Sequence, residues 1–164
     1  VARPRVRGVG GSAHRDHRGN TVTHHEHRIE VATADLVPLK IVVGRWAEGK
    51  RFRKWAAQAP QTVAGQEQPL WMELRLPESA DHKHLAFTND LVEADGVLNA
   101  QVVAWLQAHA DGELFQHLTF EGGVVYTSAH GQIDGESVLR RVDALVDLLD
   151  RMPGARPRHP AATV

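Results

Sequence analysis

The chain has no cysteine among its 164 residues. That excludes a disulfide scaffold and any thiolate metal site. No run approaches the ~18 apolar residues of a membrane span, and the start lacks the pattern of a signal peptide. No nucleophile elbow and no metalloprotease helix signature is present. The glycine cluster Gly8-Val9-Gly10-Gly11 is not followed by a helical pattern, so it fails the structural requirement of a dinucleotide loop. There is no repeat at solenoid period. The chain is not basic overall, which speaks against a dedicated nucleic-acid domain. Together these absences leave a site built from histidines, carboxylates or serines, with no cofactor implied.

What is present is ordinary globular composition, 42% apolar and 24% charged. The formal net charge of −1 conceals an asymmetry. Residues 1–55 hold twelve Lys and Arg against five Asp and Glu; residues 56–164 hold seven against fifteen. Such a split either builds an interaction surface or neutralises itself within the fold. Length and pattern predict one α+β domain over 1–153, with a projecting hairpin at 3–33 and a disordered tail at 154–164. The first residue is Val1, and an upstream segment, including a membrane helix, is compatible with that start.

The hairpin over 3–33 reads as two arms around His14-Arg15-Asp16-His17-Arg18-Gly19-Asn20, which has turn chemistry. Leu39-Lys40-Ile41-Val42-Val43 is a β-branched strand after Pro38. The stretch 60–69 has two prolines, a glycine and no apolar period, and reads as a loop. Leu70, Met72, Leu74 and Leu76 alternate with polar or aromatic neighbours as a half-buried strand; residues 84–92 are a further strand candidate. Asp95 is placed as the cap of a helix whose stripe is Leu98, Val102, Trp105 and Leu106, ending at Asp111-Gly112. A second hairpin turns at Glu121-Gly122-Gly123. Asp134 caps a final helix with Val138, Leu139, Val142, Leu145, Val146, Leu149 and Met152 at helical spacing, stopped by Pro153-Gly154. Strands in runs with helices between them predict a mainly antiparallel sheet with two amphipathic helices packed on one face.

Eleven histidines supply the first candidate chemistry. Alternate side chains of a strand share a face, so His25 and His27 point one way and His24 the other. His14 lies across from residues 22–24 if the hairpin closes at 16–19. Neutral imidazole binds zinc, copper or nickel, so His14, His24, His25 and His27 are candidate metal ligands. Their alternative role is solvated edge polarity that blunts strand pairing. His82 and His84, with Asp81 beside them, have the same two readings.

The segment 45–55 interleaves Arg45, Lys50, Arg51, Arg53 and Lys54 with Trp46, Phe52 and Trp55. Cations and rings in that mixture suit an anionic membrane surface, and they suit nucleic acid less well in a chain of this overall charge. The alternative is a solvated helix with its rings on the core. Ser128, His130 and Asp134 are the nearest approach to a hydrolytic triad, but triads are set by tertiary geometry.

Four stretches carry a resemblance. They are the polar hairpin with its histidine-bearing return (19–31), the strand after Leu-Val-Pro-Leu (36–43), Ala-Phe-Thr-Asn-Asp-Leu-Val-Glu-Ala-Asp (86–95), and Thr-Phe-Glu-Gly-Gly-Val-Val-Tyr (119–126) ahead of a terminal helix. In these the chain resembles a group of uncharacterised actinobacterial membrane-associated proteins. The resemblance implies a membrane-proximal soluble domain. The reading adopted is a non-catalytic binding or scaffolding domain in the cytoplasm at the inner face of the membrane. Its partner is an unknown protein or an anionic membrane surface. A histidine-based metal-binding domain and a hydrolase-like enzyme stand as alternatives.

Overall fold

A computed structural model describes residues 5–15, 21–43, 50–54, 62–63, 66–67, 71–81, 83–131 and 134–156. Seven antiparallel strands form one sheet: β1 (Arg5–Arg15), β2 (Thr21–Ala32), β3 (Leu39–Val43), β6 (Met72–Leu74), β7 (His84–Thr88), β8 (His117–Glu121) and β9 (Val124–His130). Their spatial order is β1-β2-β9-β8-β3-β7-β6. The short strands β4 (Thr62–Val63) and β5 (Gln66–Glu67) pair with each other. This corrects the loop expected over 60–69. Besides the helical residues 50–54, the helices are α1 (Glu78–Asp81), α2 (Leu91–Val97), α3 (Ala100–Ala108) and α4 (Gly135–Arg151). The fold is α+β, as the sequence pattern predicts.

Cross-strand register explains which face is buried. Leu39 pairs with Phe120 and Thr88, Ile41 with Leu118 and Ala86, and Val31 with Val125. Opposed residues share a face. These side chains therefore form one surface with Ile29 and Leu74, against which Val102, Trp105 and Leu106 of α3 and Leu145, Leu148 and Leu149 of α4 are buried. Trp105 stacks on His109 at 4.1 Å and meets Phe115 at 5.6 Å. A phenylalanine so buried is worth roughly 3–5 kcal/mol against alanine. Helical spacing places Leu139 in the α4 stripe, but it is 65% exposed. It follows Val138 by one residue, a rotation of roughly 100° that carries it off the core face.

Caps account for a second correction. Asp95 does not start the first long helix. Asp90 caps α2, its Oδ1 accepting from the amides of Val92 and Glu93 at 3.0 Å. Asn99 then caps α3, accepting from Gln101 and Val102 at 2.9 Å. The strand expected over 84–92 accordingly ends at Thr88, and Val92 is helical and exposed. Asp134 caps α4 as expected, accepting from Glu136 and Ser137. The Gly122-Gly123 turn carries φ of 58° and 73°, the left-handed pair a two-residue hairpin turn requires. Within the tail that the sequence predicts over 154–164, Ala155 is buried and its carbonyl accepts from the Ala34 amide at 2.8 Å.

Candidate functional site

The second face of the sheet, away from α3 and α4, carries a row of polar and aromatic residues. Register sets it: Glu30 opposes Tyr126, Tyr126 opposes Thr119, Thr119 opposes Lys40, Lys40 opposes Phe87, and Phe87 opposes Glu73. Six neighbouring strands each contribute one position. No local sequence signal could have assembled it. The one hint was a lysine inside the β-branched run of β3.

The row is densely tied. The guanidinium carbon of Arg28 sits 3.4 Å from the Tyr126 ring centroid, and its Nε lies 3.2 Å from a Glu30 carboxylate oxygen. Thr119 is 3% exposed, and its hydroxyl has no hydrogen-bond partner. Lys40 is half-buried with its ammonium 4.6 Å from the Phe52 ring. Burial pushes the Lys40 pKa down from its ordinary value, and the Glu121 charge partly restores it. Desolvation disfavours the ammonium form, while an opposite charge favours it.

Residues 50–54 are helical, and contacts of Phe52 and Arg53 hold them to this face. The Phe52 ring centroid is 4.4 Å from that of buried Phe87. Arg53 donates twice to Glu73, from Nε and from an Nη, each at 2.7 Å. That fork lowers the Glu73 pKa, with the charge of Arg53 adding to it. Lys50, Arg51 and Lys54 are exposed. Of the segment singled out in the sequence, Arg45, Trp46 and Trp55 lie outside the described residues, as does His82.

Of the candidate histidine ligands, the side chains of His14, His24 and His25 lie outside the described residues, and the backbone register alone places them. His14 stands opposite Val22, and His24 opposite Ser12. His25 stands opposite Gly11. His27 is 4% exposed on the helix-covered face, between Gly8 and Ala129 in register. Among the described residues no three His, Asp or Glu gather as a metal-binding group. His84 is 1% exposed at the start of β7. Its Nδ1 lies 3.3 Å from the Ala80 carbonyl, which can only accept, so Nδ1 carries the proton. Its Nε2 is buried without a partner. Burial lowers the His84 pKa; the Ala80 bond opposes that shift and Lys83 adds to it. Ser128 stands opposite Arg28, and the Asp134 carboxylate is spent on capping amides, so the triad reading gains no geometry.

Among the described residues no helix is long and apolar enough to cross a membrane. The arrangement is that of an α+β domain with a tied polar row on one sheet face. No protein-family model matches the chain, and no curated protein does. Among solved structures it is similar to the mycobacterial trehalose monomycolate transport factor A, TtfA. The TM-score is 0.50 at 13% identity, covering 92% of this chain and 76% of that one. At that identity the likeness concerns the fold.

Proposed function

We propose that this is a non-catalytic binding or scaffolding domain that works beside a membrane and turns the 50–54 segment toward anionic headgroups. The observation that carries the reading is the way this turn is held. Phe52 and Arg53 anchor it to Phe87 and Glu73, while Lys50, Arg51 and Lys54 stand exposed on the same turn. A cationic cluster on a fixed support meets an anionic surface without first being ordered, and each cation near that surface is worth about 1 kcal/mol. The fold likeness is to a mycobacterial transport factor. Co-sedimentation with phosphatidylcholine vesicles containing phosphatidylglycerol tests the reading. Pelleting should need the anionic lipid, weaken with salt, and fall in Lys50→Glu and Lys54→Glu. Failure to pellet with anionic vesicles at low salt removes the reading.

A further inference from the structure

We propose that the corner where α2 meets β6 is a docking site for an amphipathic cationic segment of another protein. Four large apolar side chains are exposed among the described residues, and three of them, Met72, Leu91 and Val92, belong to these two elements. α2 packs against β6. Met72 stands opposite Thr88 and shares its helix-covered face, on which Leu74, two residues further along β6, is already buried. Leu91 and Val92 open α2, just after β7 ends at Thr88. Val92 is 86% exposed, and Leu91 and Met72 are each 39% exposed. Val92 adds nothing to the core, and a β-branched residue is a weak helix former. Single exposed apolar residues are ordinary, whereas grouped ones mark contact surfaces.

Charge selects the occupant. Residues 84–139 hold eight Asp and Glu and no Lys or Arg. Three of the eight, Asp90, Glu93 and Asp95, are exposed within α2 or at its cap. Among the described residues no cation pairs with them. Asp90 accepts from the Val92 and Glu93 amides through Oδ1, which leaves its Oδ2 to an outside donor. Arg75, one residue beyond β6, is exposed and pairs with none of the three. Glu73 differs, because Arg53 holds it on the other face of the sheet. Apolar side chains beside unpaired carboxylates match a segment that brings apolar residues flanked by Lys or Arg, an apolar centre with a complementary charged rim. An anionic membrane meets three like charges here. A second copy docked symmetrically sets the same carboxylates against these, again like against like. Charge of this kind selects partners by excluding wrong ones as much as by attracting right ones.

The test uses a short fluorescent helical peptide of leucine and lysine, with leucine along one face, titrated by anisotropy at physiological salt. Backbone amide chemical shifts are read across the chain. The expected result is saturable binding that moves the amides of 72–74 and 90–97, with no binding of a matched leucine–glutamate peptide. Val92→Ser removes an apolar contact at an exposed position and should weaken binding roughly tenfold. Glu93→Lys combined with Asp95→Lys should lose the leucine–lysine peptide and take the leucine–glutamate one at the same amides. That gain keeps the test decisive, because a misfolded variant would not bind there. Four outcomes overturn the proposal: no saturable binding, shifts confined to other surfaces, indifference to Val92→Ser, or equal binding of the leucine–glutamate peptide. Movement of these amides by anionic vesicles assigns the corner to lipid and overturns it too, as does a self-dimer that Val92→Ser abolishes. Lys50→Glu should leave peptide binding unchanged, so this inference and the membrane reading stand or fall separately.

Discussion

The side-chain amide of Asn99 donates to the backbone carbonyl of Arg151 at 2.9 Å, while its oxygen caps α3. One residue thus starts one helix and closes the last turn of α4. Asn99→Ala removes both functions and should cost about 1–2 kcal/mol. Asn99→Ser keeps the cap acceptor and loses the tie, so it should fall between wild type and alanine in urea denaturation. If serine and wild type unfold together, the tie to Arg151 contributes nothing.

Thr119→Val replaces a buried hydroxyl that has no partner. Removing an unsatisfied polar group is neutral or stabilising, by up to about 1 kcal/mol. Thermal unfolding should show an unchanged or raised midpoint. A loss of 2 kcal/mol or more would mean the hydroxyl is bonded in solution.

His84 makes stability depend on acid. Its folded pKa lies below the ordinary value of 6.5. Above pH 6.5 the ring is neutral in both states, and its contribution is complete. As pH falls below that point the unfolded chain takes up a proton that the folded one resists, and stability declines until the folded pKa is passed. His84→Leu should flatten the denaturation midpoint between pH 6.5 and the folded pKa. A wild-type curve that is already flat there would contradict the burial argument.

Glu73 behaves in the opposite sense. Arg53 depresses its pKa below 4.5, so its contribution is present above that pH and fades as pH drops through the folded value. Both side chains are well exposed, at 52% and 41%, so the pair is worth less than about 1 kcal/mol. Glu73→Gln should barely move global stability yet speed amide exchange over 50–54. Unchanged exchange there would show that the Arg53–Glu73 pair does not hold the turn.

Gly123 sits at φ 73°, and an added Cβ would meet the Thr33 carbonyl oxygen at 3.7 Å, an ordinary contact. The cost of Gly123→Ala is therefore backbone strain alone, about 1–2 kcal/mol. Chemical denaturation measures it, and Gly123→Asn should cost less because Asn tolerates that conformation.

Elements that speak through short-range pattern were readable in advance. The β-branched run of β3, the double-glycine turn and the Asp134 cap each state a local physical preference, and each is where that preference puts it. The division of the central helical region was not readable, because Asp90, Asp95 and Asn99 are all competent caps in isolation. Asp90 and Asn99 were selected once Ala94 and Val97 found burial. The row from Glu30 to Glu73 was beyond the sequence for a different reason. Its members are cross-strand neighbours, and strand order is a tertiary choice. The same holds for His27, whose polar surroundings in the chain gave no sign that it would be buried.

The strand order carries a consequence for biosynthesis. β2 joins the sheet through β9, pairing Glu26 with His130 and Ala32 with Val124. A ribosome delivers β2 long before β9 exists. Until then the first hairpin has no platform, and its long-range closure is the slow step such topologies impose. Chaperones that shield extended nascent chain would find their longest exposure window here.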